Sequence, residues 1–379
     1  EPEAILVLVV EPRPQAILFC REKNPEKEIW DGFRYGPDAA REIFGFDAAH
    51  PVGEFDAQLP ELLADQPALW YSLGHDADWD ARIVKALNTV RAQTRAGKRA
   101  PAVIHDVRAD LDEMRLIKDD HEIGLMRRAA QIAGIAHRRA MRFVAPGKYE
   151  YEVEAEFLHE FRRHGCQAPS YPPIVAGGAN ACVLHYVGND RMLVGGELLL
   201  IDAGCEVAGY ASDVTRTLPV NGRFSGPQAD IYTLVLDAQA AAIAAIRPGA
   251  SFLAPHEAAL RVLVQGMIDL KLLTGSVDGI IESEAYKRFY MHRTSHWLGL
   301  DVHDAGAYRQ GETWTVLQPG MTLTVEPGCY IRPADDVPAV FHDIGIRIED
   351  DVLVTIDGCE ILSADTPKAI AVIEEEMRQ

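Results

Sequence analysis

Positive charge is scarce in this chain. Its 37 Lys and Arg face 57 Asp and Glu, a formal net charge of −20 at pH 7. That imbalance argues against nucleic acid as a partner and against docking on an anionic membrane surface; it suits the binding of cations. Cysteine is scarce as well. The six stand at positions 20, 166, 182, 205, 329 and 359 with no Cys-x-x-Cys pair, so no zinc knuckle or disulfide framework is indicated, and the pattern reads as reduced thiols in a cytoplasmic protein. No apolar run approaches the length of a membrane span, and no basic-then-apolar signal pattern opens the chain, which starts at once with the strand-like ILVLVV. What is present is ordinary for a globular protein: 379 residues, 48% hydrophobic and 25% charged, enough for two or three domains and a large core.

Residues 1 to about 110 mix strand and helix signals. ILVLVV and AILFC are predicted to pair as strands, ALWYSLG to form another, and DAAREIFGF and DWDARIVKALNTVRAQ to be helical. This reads as a small α/β domain over residues 1–112. The charged, weakly periodic VRADLDEMRLIKDD (107–120) is read as its linker to a second domain, 113–379. There a long helix opens on Asp119 or Asp120 as N-cap, with Leu125, Ala129, Ile132, Ala136 and Ala140 at helical spacing. Arg127, Arg128, Arg138 and Arg139 fall mostly off that face and read as solvated. A second helix carries Val153, Phe157 and Phe161.

That pattern recurs. A helix ending in Pro-Gly at 146–147 has a counterpart ending at 248–249, and Leu260, Val264 and Met267 mark the partner helix of the second pair. After each helix pair comes a Gly-led strand ending in an acid: GELLLIDAG places Asp202 six residues after Gly196, and GMTLTVEPG places Glu326 six residues after Gly320. An internal duplication of a helix–helix–strand–strand unit is expected.

The acids in these strands raise an electrostatic question. Folding LLLIDAGCEVAGYASDVTRTLPV as a hairpin turning near Val207 and Ala208 sets Asp202 directly opposite Asp213. Two carboxylates with Cβ atoms roughly 5 Å apart repel by about 3 kcal/mol at an effective dielectric near 20. A shared proton, an arginine or a bound cation offsets such repulsion. In the second half, Glu349 is taken as the counterpart of Asp213, with Arg347 on the same strand face. Four carboxylates from two pseudo-symmetric hairpins then converge, which calls for cations. The segment YMHRTSHWLGLDVHD adds His292, His296 and His303. Carboxylates with a few imidazoles suit Mn²⁺, Co²⁺ or Zn²⁺ in a two-metal site.

With these motifs, SYPPIVAGGANACVLHY, IDAGCEVAGYASDVTRT, HWLGLDVHD, TVEPGCYI and GIRIEDD, the chain resembles the creatinase/aminopeptidase P/prolidase family of pita-bread metallopeptidases over nearly its whole length, and is most similar to the Xaa-Pro aminopeptidases. The resemblance implies an N-terminal α/β domain followed by a pita-bread domain, an α/β (α+β) class overall. It implies Asp202, Asp213, His296, Glu326 and Glu349 as ligands of two divalent ions, with Mn²⁺ the usual metal, Asp213 and Glu349 bridging, and Asp202 holding the second ion. His185 and His303 would line the substrate site with Tyr330. His292 and His303 would hydrogen-bond the substrate carbonyl or tetrahedral intermediate, and Arg347 would pair with a bridging carboxylate. Trp30 matches a tryptophan that reaches a neighbouring subunit's active site. The implied function is release of the N-terminal residue from peptides with proline second. Attack by a metal-bridging hydroxide would begin it, with Glu326 passing the proton, in a homodimer or homotetramer. A dipeptide-only prolidase is the alternative. Relatives carry several dozen residues before the position matching Glu1, so the N-terminal domain is expected to lack its first segment.

Overall fold

Ile5–Val9 (β1) and Gln15–Cys20 (β2) pair antiparallel, as their composition predicts, and β2 pairs in parallel with Ala48–Pro51 (β3). The computed structural model describes residues 2–379. Its chain forms two units, Glu1–Leu111 and Asp112–Gln379. In the first, Pro25–Asp31 (α1) and Gly36–Phe44 (α2) follow β2, and Phe55–Leu63 (α3) follows β3. Ala68–Trp70 (β4) and Val103–His105 (β5) form a parallel pair around Ala77–Ala92 (α4). Ile17 and Phe19 from β2 meet Phe55, Leu59 and Leu63 of α3 and Ile83, Leu87 and Val90 of α4 in one core. The stretch read as a linker is largely helical, Val107–Leu116 (α5). Leu116 is its buried residue, and its charges are only partly solvated: Arg115 pairs with Asp301 and Asp304, and just past the helix the buried Lys118 donates to Asp304 Oδ2 (3.0 Å).

In the second unit Asp120–Phe143 (α6) starts from a capping box, Asp119 with Glu122. Its alanines at 129, 133, 136 and 140 are buried and let Glu150–Arg163 (α7) approach closely with Val153, Phe157 and Phe161. Each fully buried Phe is worth roughly 2–3 kcal/mol of transfer free energy. The α6 arginines are not simply solvated. Arg127 makes two 2.7 Å bonds to Glu360, and Arg138 and Arg142 both pair with Glu376 near the C-terminus. Gly226–Ala244 (α8) and Ala254–Asp269 (α9) form the second helix pair, buried through Leu260, Val264 and Met267.

The strands fix the site. Ile174–Gly177 (β6), Leu198–Asp202 (β7) and Thr215–Pro219 (β10) form a sheet ordered β10-β7-β6, and Glu206–Val207 (β8) with Tyr210–Ala211 (β9) closes the hairpin. Its register differs from the predicted one. The turn residues are Ala208 and Gly209, both at positive φ (50° and 87°), the combination a tight two-residue hairpin turn needs. Centring the turn there places Asp202 opposite Thr215, not Asp213. Asp213 stands two positions along, still on the Asp202 face, so the two carboxylates are diagonal neighbours.

After a short hairpin, Arg309–Gln310 (β11) with Thr313–Trp314 (β12), the second half repeats the plan. Thr322–Val325 (β13) pairs with Asp350–Val354 (β16), which also pairs with Cys359–Ile361 (β17), and Gly328–Ile331 (β14) pairs with Ile344–Arg347 (β15). The β13–β16 and β14–β15 ladders share one register, so Glu326 faces Glu349 across the gap between them. Glu349 therefore occupies the position of Thr215, and Arg347 that of Asp213, which corrects the expected Asp213–Glu349 equivalence. The duplication itself is visible in a shared steric constraint. A Cβ on Gly204 would lie 1.8 Å from the Ser212 carbonyl oxygen, and one on Gly328 would lie 2.9 Å from that of Ile346. Both hairpins need glycine two residues after the acid. Among the described residues no helix is long and apolar enough to cross a membrane.

Candidate metal centre and active site

The two hairpins meet through backbone and side chains. The Glu349 N–H donates to the Thr215 carbonyl (3.1 Å), and the Thr215 hydroxyl donates to Glu349 Oε2 (2.6 Å). Around this seam a cavity of about 570 Å³ is lined by Asp202, Asp213, Glu326, Glu349, His292, His296, His303, His185 and Arg347. His296 Nε2 lies 3.3 Å from Asp213 Oδ2 and 3.6 Å from Glu326 Oε1. Ligand atoms of Asp213, His296 and Glu349 all fall within 4.8 Å of one another. Asp202 joins them through Tyr171, whose hydroxyl is 2.5 Å from Asp202 Oδ1 and 2.6 Å from Asp213 Oδ1.

Burial makes this arrangement costly without a counter-charge. Desolvation, then the Asp213, Glu326 and Asp202 charges, holds the Glu349 carboxyl well above the ordinary range. Desolvation lifts Glu326 to about 7 and raises Asp202, while Asp213 is lowered because the His296 hydrogen bond overcomes its burial. His296 is raised to about 9: burial opposes its protonation, but Asp213 and Glu326 outweigh it. One Tyr171 proton cannot satisfy two carboxylates. Four carboxylates, those of Asp202, Asp213 and Glu349 buried and that of Glu326 partly so, and one imidazole, all hard or borderline donors, fit divalent cations.

Around this centre the expected residues divide. Arg347 Nη2 donates to Asp202 Oδ2 (2.5 Å), and its Nη1 donates to the Tyr330 hydroxyl (3.1 Å). The guanidinium thus pairs with Asp202 and not directly with Asp213 or Glu349; its Nε donates to the Thr215 hydroxyl (3.1 Å), which in turn donates to Glu349. Its strand lies beside Gly328, so its side chain runs toward Tyr330 and Asp202. Tyr330 is buried behind the cavity and bonds His292 Nε2 at 2.8 Å. His292 Nδ1 faces the Arg293 carbonyl at 2.8 Å, and burial followed by the Arg347 charge pushes His292 down to about 3. A neutral ring that donates from Nδ1 and accepts from Tyr330 has both nitrogens engaged. His303 stacks edge-on against His296, ring centroids 4.3 Å apart, and makes no hydrogen bond within the protein among the described residues. His185 is exposed at the cavity. Phe252, Tyr308 and Trp314 supply an aromatic wall, with Leu253 beside them. Trp30, in the first unit, is 87% exposed on α1.

The chain matches metallopeptidase family M24 over residues 124–356 and the aminopeptidase P N-terminal domain over residues 1–70. A Xaa-Pro aminopeptidase of Haemophilus influenzae is 46% identical over 380 residues, spanning 100% of this chain and 85% of the relative. The chain belongs to the M24 metallopeptidases. An M24 relative from Escherichia coli, also a Xaa-Pro aminopeptidase, is 45% identical over 379 residues, 100% of this chain and 86% of its own. The solved Pseudomonas aeruginosa aminopeptidase PepP superposes with a TM-score of 0.97 at 48% identity, covering 100% of this chain and 86% of that one. A zinc-substituted Escherichia coli aminopeptidase P in complex with product gives 0.96 at 44% identity, with 100% and 86% coverage. The expected family and two-domain pita-bread architecture are borne out, and as an M24 member the protein is a metal-dependent peptidase.

Several contributors escaped the sequence reading. Tyr171 lies in SYPPIVAGGANACVLHY and Thr215 in IDAGCEVAGYASDVTRT, but nothing in their spacing marks them. Arg216 and Asp350, both fully buried and 2.7 Å apart, flank the ligand strands, and Arg216 also donates to the Glu349 carbonyl (2.6 Å). Their adjacency to Thr215 and Glu349 was the available signal.

Proposed function

We propose that this protein is a Xaa-Pro aminopeptidase, releasing the N-terminal residue from peptides with proline in second position. The observation that carries the reading is the convergence of Asp202, Asp213, His296, Glu326 and Glu349 on one cavity, in a chain matched end to end by relatives named for that activity. These five residues would hold two divalent ions, Mn²⁺ first and Zn²⁺ or Co²⁺ as alternatives. Such ions polarise a scissile carbonyl and lower the pKa of bound water toward neutrality.

The side chains then have separable tasks. Glu326, at the strand end facing Glu349 and His296, would accept a proton at its carboxylate and hand it to the departing proline nitrogen. His303, with open ring nitrogens, donates to the scissile carbonyl oxygen. His292, locked by Tyr330 and Arg293, positions that wall of the cavity. The aromatic wall of Phe252, Tyr308 and Trp314 suits a proline ring. His185 meets the peptide at the exposed edge. Trp30, so exposed on its own chain, is proposed to serve a second copy in a homodimer or homotetramer.

Turnover of Xaa-Pro and Xaa-Pro-Yaa peptides by metal-reconstituted enzyme tests the reading. Cleavage of both, abolished by a chelator, is expected; cleavage of dipeptides alone would make it a prolidase. Sedimentation tests the assembly: a fully active monomer would overturn the role of Trp30.

A further inference from the structure

One wall of the peptidase cavity is not used by the chemistry proposed above. It carries His256, near the start of α9, with Arg293 and Thr294, which lie between His292 and His296 in the chain. The Thr294 hydroxyl is 2.6 Å from the hydroxyl of Tyr290 and 2.9 Å from His256 Nδ1. Tyr290 and Thr294 are 0% exposed and His256 is 8% exposed, so these groups cannot turn to bulk water. Among the described residues the two hydroxyls have no other partners. Only one arrangement of protons then satisfies both. Tyr290 donates to Thr294, Thr294 donates to His256 Nδ1, and the neutral ring keeps its proton on Nε2. Any other arrangement strands a buried hydroxyl proton, which is costly. Burial, followed by the Arg293 charge, pushes the His256 pKa down to about 4, in keeping with a neutral ring. Its Nε2 makes no hydrogen bond within the protein among the described residues, and the ring lines the cavity.

Two arginines border the same wall. Arg293 and Arg309 both line the cavity, and their guanidinium carbons lie 5.5 and 5.7 Å from the centre of the Trp314 ring. An indole holds such cations in place while leaving their N–H groups free. Both side chains are exposed, and neither forms an ion pair among the described residues. Phe252, four residues before His256, stacks on Trp314 and ties the histidine to this corner. In a chain with 57 acidic residues, two arginines without a carboxylate in one cavity call for an anion from outside.

We propose that His256, Arg293 and Arg309 form a carboxylate subsite of the substrate cavity, with Thr294 and Tyr290 positioning the His256 ring as an Nε2–H donor. The subsite rests on the peptidase reading and adds a substrate class to it. The favoured peptides carry a carboxylate beside the proline, at the C-terminus or on an acidic third residue. The four carboxylates of the metal centre suit cations and the peptide amine. The arginines and His256 supply charge-assisted and neutral donors for the opposite charge. Because the aromatic wall suits the proline ring and both arginines lie against Trp314, the carboxylate falls next to that ring.

The test gives metal-loaded enzyme three peptides: Ala-Pro-Ala amide, Ala-Pro-Ala free acid and Ala-Pro-Glu amide. At low ionic strength, kcat/KM for at least one charged peptide should exceed that for the neutral amide by about tenfold, and the ratio should shrink as salt screens the arginines. Which charged peptide gains identifies the source of the carboxylate. Arg293→Gln and His256→Phe should each bring the ratio toward one. Thr294→Val, which frees Nδ1, should lower it as well, and Thr294→Ser should keep it; a merely structural role for Thr294 would slow all three peptides alike and leave the ratio. Equal kcat/KM for the three peptides, or an unchanged ratio in both Arg293→Gln and His256→Phe, would overturn the subsite. Cleavage of none would overturn the peptidase reading instead. Calorimetric titration of the same peptides would then read the ratio as affinities, and equal affinities would overturn the subsite too.

Discussion

The Tyr171 hydroxyl is uncharged, yet it touches both Asp202 and Asp213 and so sets the distance between two donors. Removing it leaves the carboxylates in place but unoriented. Tyr171→Phe is expected to fold and to lower metal affinity about 10–100-fold, the usual cost of losing a partner that orients a ligand; competition with a chelating dye measures it, and unchanged affinity would refute the role. The histidines should separate in the same assay. His296→Ala should lose metal, because its Nε2 faces Asp213 and Glu326. His303→Ala should keep its metal and lose kcat by about 10²-fold or more, as for a missing oxyanion donor. Metal loss in the His303 variant would move it among the ligands. All five proposed ligands stand in motifs visible in the sequence, because each is an acid or imidazole at a strand end or in a histidine-rich loop. Tyr171 and Thr215 were not legible: their importance comes from contacts 31 to 134 residues away along the chain, which no local pattern encodes.

At the scale of the element, the hairpins show where sequence reasoning reaches its limit. Strand existence, the helix pairs and the duplication followed from periodicity and from Gly-led runs. Register did not, because it depends on which two residues occupy the turn, and Ala208–Gly209 differs from Val207–Ala208 by a single position. That step moves the partner of Asp202 by two residues while leaving every side chain on its face, so the acids still converged. The backbone crossing at Gly204 gives a sharp expectation. Gly204→Ala places a methyl 1.8 Å from the Ser212 oxygen and should cost about 4 kcal/mol or more or abolish soluble expression. Gly209→Ala, strained only by its φ of 87°, should cost about 1–2 kcal/mol. Urea unfolding of the two variants would rank them, and equal losses would contradict the steric account. Beneath the strands, Arg216 donates to the carbonyls of Thr215, Glu349, Thr366 and Pro367 and pairs with Asp350. Arg216→Met should therefore cost about 3–5 kcal/mol, since it strands buried acceptors.

For the whole molecule, acid is the condition that most exposes the buried design. His137 on α6 is fully buried edge-on against Phe157, with Nε2 on the Val214 carbonyl at 3.0 Å. Burial, followed by the Arg216 charge, pushes its pKa down from 6.5 to about 3. Between those values the unfolded chain binds a proton that the folded chain refuses. The stability this neutral histidine permits is complete above about pH 6.5 and is lost as pH falls toward 3, by about 1.4 kcal/mol per unit. Denaturant unfolding between about pH 7 and pH 5 should show that slope, reduced in His137→Gln. An identical slope in the variant would assign acid lability to other groups.

The division of the donors between the two hairpins has a genetic consequence. Asp202 and Asp213 precede the exposed turn at 221–223, whereas His296, Glu326 and Glu349 follow it. A chain broken at that turn would give two polypeptides, neither with a full donor set. Co-expressed, they should find each other through the Thr215–Glu349 seam and recover metal binding together. Loss-of-function alleles on either side of the break should then complement in trans, making metal uptake a selectable reporter of how well the duplicated halves still recognise one another.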